Sequence, residues 1–534
     1  MDQNKRTYFL AFDIKRLIKH RANFWAVTYI GTLFTVKDVT LNVTSNSFMK
    51  KISVLVLTLL SWCAYAQNTA NITLSTPKTV AATATLVLED VHFHPNLGIG
   101  LADTKLEPVA SINFADNTTE KAVIQLNEPK MMRLQYSGGG VNKTWMLFVQ
   151  PGDDLTANFP GTGDVIFSGK NVNYQNFLKN YFLENQYQYL PVFGYKPAQI
   201  ENNSVVQQSD SLKQMRIAAY EKFKTANPAS PAFEAYVLAT TETEPSVIHR
   251  LIQEKIMRRN RVTKLDAAQR KELEDLTLKN FKILADDALL SQSYRDELRN
   301  WALIPSTRKF PLAADTRYEI SPEALKDVYA FSKDKLKDYP KQKEYLLTYW
   351  LNYAATAIPT IETSKSLLAD YKATFPDSKY SEYIAKLIQT KETLQPGSIA
   401  PDVTLLSVDS AAVAVSQLKG KPVVMVFAFS IGQHEPSLKA MEEKYKDKAT
   451  FVYVSVTPGL PLSTWKQYAK DRPDAKHLWA SDENIEFLKE KYAIDIRYPF
   501  LVIDSTGKIV NRWIPQEFPN NKMLDEEIQK SVGR

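Results

Sequence analysis

The hydrophobic rhythm of the chain changes twice. From residue 68 to 170, short β-branched and aromatic runs stand between turn residues. The runs are Thr85 to Phe93, Ala122-Val-Ile-Gln-Leu126 and Trp145-Met-Leu-Phe-Val149; the breaks are Ser137-Gly-Gly-Gly140, Pro151-Gly-Asp-Asp154 and Gly161-Thr-Gly163. Such runs predict strands. Pro151-Gly152-Asp153 suits a tight turn, since Pro presets φ, Gly allows positive φ and Asp bonds its own backbone. From 172 to 394 the period becomes helical. Ala324 to Leu336 carries apolar residues at i, i+3/i+4 and i+7 with lysines opposite, and Ser321-Pro322 supplies an N-cap and a proline for the first helical position. Ser364–Lys372 and Tyr380–Lys391 predict a helical hairpin around Phe375-Pro-Asp-Ser378, without a clean repeat along the region. A stripe of this kind is normally core, so the region reads as a helical spacer packing its neighbours together, ahead of a partner-binding groove. From 396 to 534 strands and helices alternate. Val423-Val-Met-Val-Phe427 and Phe451 to Val456 are continuous apolar runs, the pattern of central strands covered on both faces. Trp465 to Lys470 falls in the helix that follows, and Asp504-Ser-Thr-Gly507 turns one strand into the next.

One segment is predicted to leave the protein. Met49-Lys50-Lys51 is a short positive start, Ile52 to Trp62 an apolar run, and Ala64-Tyr65-Ala66 an Ala-x-Ala cleavage site before Gln67. This is the secretory leader pattern, and the run is shorter than the ~20 residues that cross a bilayer. Lipidation at Cys63 is disfavoured because Trp62 stands where small residues normally precede such a cysteine. Cleavage after Ala66 is expected, which places the protein in the periplasm or cell envelope with no membrane span in the mature chain. Residues 1–48 are expected to be an N-terminal extension from a mis-called start upstream of the true Met49; the rival is a cytoplasmic extension on an uncleaved anchor. Charge follows the same division. The total is +7, but seven basic and three acidic residues precede Met49, and Lys50 and Lys51 add two more positive charges, leaving about +1 from Gln67 onward. Nothing in that balance argues for nucleic acid or anionic membrane.

Two stretches resemble known families. Leu147-Phe-Val-Gln-Pro-Gly-Asp-Asp-Leu155 and Val165 to Leu178 resemble a β-sandwich domain of unknown function found ahead of thioredoxin-like domains in Gram-negative envelope proteins. Pro396 to Asp402, Leu418-Lys-Gly-Lys-Pro-Val-Val-Met-Val-Phe427 and Tyr492 to Val510 resemble the TlpA-like branch of the thioredoxin superfamily. The implied architecture is multidomain: a β-sandwich (68–170), an α-helical middle region (172–394) and an α/β thioredoxin-like fold (396–534). The resemblance further implies a Trp-Cys-x-x-Cys site at the start of the helix after the first core strand. It also implies a cis-proline at Pro499, with the segment before it pairing with substrate backbone.

The chain departs from that family at the site itself. Its only cysteine is Cys63. In Phe427-Ala-Phe-Ser-Ile-Gly-Gln-His-Glu-Pro436, either Ile431 and His434 stand where the cysteines belong, or the loop is shorter. A disulfide enzyme needs a low-pKa thiolate and a resolving thiol. The vestigial region is Ser430, Ile431, Gly432, Gln433 and His434, with a Ser-x-x-Gln capping-box spacing from Ser430 to Gln433. Tyr498 and Pro499 are expected to border a groove for a protein or peptide, with His434 adding pH sensitivity near pH 6.5. The competing expectation is a loop collapsed onto Pro499 with Phe429 and Ile431 filling the groove. Ser430 and His434 lack a third partner and a nucleophile elbow, so no catalytic residue is assigned. His92 and His94 share a strand face without a completing ligand, so no metal or cofactor is expected. The function expected is a non-catalytic protein- or peptide-binding envelope component. The alternatives are a thiol-disulfide oxidoreductase, by family membership alone, and a purely structural component without an open groove.

The leader yields a direct test. The intact mass of protein purified from the envelope should correspond to Gln67–Arg534, without a thiol. A lipid on Cys63, or retention of residues 1–48, would overturn it.

Overall fold

The computed structural model describes residues 69–76, 85–90, 108–113, 118–138, 141–160, 164–181, 204–243, 267–311, 320–358, 360–430, 435–470, 475–517 and 521–533. The leader, Cys63, the His92/His94 pair, His249 and residues 431–434 lie outside them.

The β-rich region is two four-stranded sheets around a shared core. Strands β1 (Thr69–Ser75), β2 (Thr85–Asp90), β3 (Pro108–Asn113), β4 (Thr119–Gln125), β5 (Lys130–Gly138), β6 (Val141–Val149), β7 (Asp154–Asn158) and β8 (Ile166–Lys170) pair in the orders β4-β1-β7-β8 and β3-β2-β5-β6. Alternation assigns each side chain a face: Ala70, Ile72 and Leu74 of β1 meet Ile112, Leu134, Trp145 and Leu147 from the other sheet. The Pro151-Gly152-Asp153 turn closes no hairpin. It carries the chain from β6 in one sheet to β7 in the other. Gly152 takes φ +81° and Gln150 N–H donates to Asp153 Oδ2 at 3.0 Å.

From Trp145 onward, strand β6 is covered on both faces. Trp145, Leu147 and Val149 enter the sheet core. Phe148 faces the first helices, α1 (Val172–Tyr181), α2 (Ser204–Ala226) and α3 (231–243), and meets Tyr174 and Phe233 edge-on at 5.6 and 5.1 Å. Because β6 ends its sheet, its outer backbone groups have no strand partner. Gln175 supplies one: Phe148 N–H donates to its Oε1 at 3.1 Å and its Nε2 donates to Phe148 O at 2.6 Å.

The helical middle continues with α4 (Ala267–Asn280), α5 (Gln292–Lys309), α6 (Pro322–Lys335), α7 (Pro340–Ala357), α8 (Ile361–Thr374) and α9 (Ser381–Thr393). Ser321 caps α6 by accepting from Ala324 N–H at 3.1 Å. Helix α7 runs through the middle of this core, burying Leu346, Leu347, Trp350 and Leu351.

Leu394, just past α9, already belongs to the core of the last region. Residues 397–400 then bond along a strand hairpin (Gly397 N–H to Ile509 O, Ile509 N–H to Ser398 O, Ala400 N–H to Gly507 O), so the two regions meet without a free linker. The thioredoxin-like sheet orders β9 (Thr404–Ser407), β10 (Ala412–Ala414), β11 (Val423–Ala428), β12 (Thr450–Ser455), β13 (Lys476–Trp479), β14 (Phe500–Ile503) and β15 (Ile509–Ile514) as β10-β9-β13-β12-β11-β14-β15. β11, β12 and β13 are parallel. Helices α10 (Glu435–Tyr445), α11 (Leu462–Lys470) and α13 (Lys522–Val532) cover one face, and α12 (Asp482–Tyr492) the other. Every residue of β11 is buried, as its unbroken apolar run predicts. The Asp504–Gly507 turn forms as read, with Gly507 at φ +90°. No helix among the described residues is long and apolar enough to cross a membrane.

The Gln175 clamp can be tested alone. Gln175→Leu keeps the shape but strands two buried backbone groups, and should cost about 1–3 kcal/mol in urea unfolding. A change below about 0.5 kcal/mol would mean that the amide does no bonding there.

Candidate functional site

The end of β11 lies beside the backbone of Pro499. Phe427 N–H donates to Pro499 O at 2.8 Å, beyond the last rung of the β11–β14 ladder. Ser430, two residues past the strand, is exposed. Phe429 is half-buried against the domain core, and Thr457 Oγ1 donates to its carbonyl at 3.0 Å. Ile431, Gly432, Gln433 and His434 lie outside the described residues, as does the Ser430–Gln433 cap.

Tyr498 corrects an expectation. It does not offer a ring to an open peptide edge; it is 1 % exposed. Its N–H donates to Asp495 O at 3.0 Å and its carbonyl accepts from Arg512 Nη1 at 2.6 Å. Its hydroxyl donates to Ala357 O of the helical middle at 2.5 Å, and its ring meets Trp513 edge-on at 5.8 Å. Strand addition needs free backbone donors and acceptors, and those of Tyr498 are taken within the chain. Pro499 is buried as well.

Arg512 organises this closure and was not legible as a functional residue. The β14–β15 ladder shifts register, and Asn511 Oδ1 accepts from Trp513 N–H at 2.8 Å across the irregularity. Arg512 is fully buried. It donates to the carbonyls of Tyr492 at 2.7 Å, Ala493 at 2.9 Å, Tyr498 at 2.6 Å and Phe500 at 3.3 Å. Its guanidinium lies 5.0 Å from the Phe427 ring centre. Burial lowers its pKa to about 10, with Asp495 and the two tyrosines opposing. A planar fork with five donors suits such a ring of carbonyls better than an ammonium would.

Lys391 is the second buried cation. It donates to the carbonyls of Ile358 and, at 3.3 Å, Ala355, with its ammonium 5.0 Å from the Trp513 ring centre. These carbonyls end α7, where helix acceptors lack partners, and Pro359 has no N–H to give Ala355. A cation belongs at a helix C-terminus. Lys391 and Tyr498 thus cap α7 from α9 and from the thioredoxin-like region. Thr390 Oγ1 to Glu490 O at 3.0 Å and the Lys386–Glu490 ion pair at 3.1 Å continue the seam at the surface. The only signal in the sequence was a lysine ending an amphipathic helix, a position that usually reads as solvated.

Among the described residues, no group of three or more His, Cys, Asp or Glu is placed to hold a metal. His477 is buried on β13, stacked on Tyr453 at 5.4 Å and edge-on to Trp465 at 5.7 Å.

Residues 420–509 match the Thioredoxin-like family. No curated protein matches the chain. Among solved structures, the chain is similar to the thioredoxin domain of a thiol-disulfide oxidoreductase from Bacteroides vulgatus, with 23% identity over 26% of this chain and 99% of that one (TM-score 0.22). A thiol:disulfide interchange protein from Bacteroides sp. has 23% identity over 27% and 93% (TM-score 0.23). The copper-bound ScoI of Bradyrhizobium japonicum has 20% identity over 25% and 99% (TM-score 0.20). The family match places a thioredoxin-like domain at residues 420–509.

Lys391 makes the seam sensitive to pH. Burial, and secondarily the Arg497 charge, lower its pKa from 10.5 to about 7, with Glu362 opposing. Between those values the unfolded chain holds a proton that the folded chain has released, so stability rises with pH across the interval. Below about pH 7 the folded chain carries the full cost of the buried charge. Lys391→Met should remove that slope between pH 7 and 10 in thermal melts. A wild-type slope in the variant would refute the assignment.

Proposed function

We propose that this is an exported envelope protein whose thioredoxin-like region binds a protein partner without thiol chemistry. The observation that carries the proposal is the position of the only cysteine. Cys63 precedes Thr69, so neither a nucleophilic nor a resolving thiol is available within residues 69–534. Dithiol–disulfide exchange needs both.

The closed Tyr498 segment supports the same reading. Where a substrate strand would pair in a thioredoxin-like oxidoreductase, the backbone is bonded to Arg512 and Asp495 and the side chain is covered by α7. Partner binding is therefore assigned to the surface around exposed Ser430 and the start of α10, rather than to strand addition beside Pro499. The oxidoreductase alternative draws on the family match alone and lacks its reacting atoms.

The purified protein should leave insulin disulfides at the no-protein rate, and dithiothreitol should leave its melting temperature unchanged. A photo-cross-linker at Ser430 should give a discrete envelope adduct that excess unlabelled protein competes away. Reproducible insulin reduction would overturn the redox-inactive reading. Absence of any competed adduct would overturn the placement of the binding surface.

A further inference from the structure

The two sheets of the β-rich region have four edge strands, and three of them are guarded. β6 is clamped by Gln175. β3 begins at Pro108 and shifts register against β2 between Leu88 and Glu89. β8 is short, takes φ +106° at Gly169 and runs into α1, whose Lys179 donates to Val165 O at 2.6 Å. Short strands, prolines, irregular register and covering elements keep an edge from adding further strands. β4 has none of these among the described residues. It runs from Thr119 to Gln125 without proline, glycine or bulge and pairs with β1 at every residue. No described strand pairs with its other side.

The register identifies the backbone groups left open. Thr76 N–H donates to Thr118 O at 2.9 Å, and bonds in an antiparallel ladder recur at every second residue. Glu120, Ala122 and Ile124 therefore bond toward β1, while Lys121 and Val123 turn their N–H and C=O groups outward. The far side of β1 agrees: Asn71, opposite Val123, gives its own N–H to Asp153 O at 2.9 Å, away from β4. The side chains of Lys121 and Val123 both lie on the solvent face, and Val123 is 60 % exposed.

We infer that β4 is a dimer edge, to which a second copy of this chain adds antiparallel across a two-fold axis at Ala122. That axis sets Lys121 opposite Val123 of the second copy, and Val123 opposite its Lys121. Each outward residue then meets an outward residue, and each such pair exchanges two main-chain bonds. An axis at Lys121 would set the two lysines opposite each other, which is destabilising. An axis at Val123 would call on Gln125, which already has a partner within the chain. The axis at Ala122 instead lays each lysine stem along an exposed valine, with the ammonium in water. The contact is isologous and closes at two copies. From Gln67 onward the chain carries about +1, so net charge does not hold the copies apart. The inference does not rest on the partner surface proposed at Ser430.

Sedimentation equilibrium of the purified protein over a concentration series tests it. A monomer–dimer equilibrium should describe the data, reversible because a contact through one strand is small. Val123→Pro removes an outward N–H and no bond to β1, a change that edge strands tolerate, and should leave only monomer. Val123→Glu and Val123→Lys keep every backbone group. Glutamate would stand opposite Lys121 and attract it, whereas lysine would repel it, so the glutamate variant should dimerise at least about tenfold more tightly than the lysine variant. This charged pair decides the question even where the proline variant fails to fold. A monomer at every concentration, which would leave the edge to a foreign strand, overturns the proposal. So does an assembly larger than a dimer, a folded proline variant that dimerises like wild type, or equal affinity of the glutamate and lysine variants.

Discussion

A single guanidinium holds the C-terminal region together where three elements converge. Arg512 is buried without a carboxylate on it; four backbone carbonyls from residues 492–500 satisfy it instead. A buried charge is tolerable only when its donors are met. Here the carbonyls that meet them are the turn after α12, the residue before Pro499 and the first residue of β14. That segment cannot move without abandoning the charge. Because it is fixed, Tyr498 reaches Ala357, and the helical middle has a firm surface to dock on.

The docking has a consistent physical logic. Helix α7 ends in carbonyls that its own chain cannot satisfy, partly because Pro359 follows. Lys391 supplies an ammonium from α9 and Tyr498 a hydroxyl from the thioredoxin-like region. The helix end is thus completed by the two regions it must join. Under the proposed function this gives the fold a different use. The backbone before Pro499 would then serve internal assembly rather than an open pairing edge.

What could be read from the chain depended on whether burial leaves a local trace. β11 was legible because a strand covered on both faces must be apolar throughout. The α6 start was legible because Ser321 and Pro322 act within one turn, and the Asp504–Gly507 turn because its geometry is set by its own residues. Tyr498 was read as an exposed ring since an aromatic before proline carries no mark of what covers it. Its partner is a carbonyl 141 positions away. Lys391 and Arg512 were missed for a sharper reason: charge is the usual sign of solvent, and here it marks two of the most buried points in the seam. Gln175 was missed similarly, as a polar residue inside a helix whose task lies on a neighbouring sheet edge.

The partners in this seam are nearly all main-chain oxygens. Tyr498 bonds Ala357, Lys391 bonds Ala355 and Ile358, and Arg512 bonds residues 492, 493, 498 and 500. A carbonyl is present whatever side chain it carries. Drift at the acceptor positions therefore exerts no pressure on the donors, and correlated substitution between the two regions would be faint even though they are firmly joined. In related chains the joint would show itself as a stubborn donor at Tyr498, with Lys391 and Arg512 fixed behind it on either side, facing acceptors free to vary.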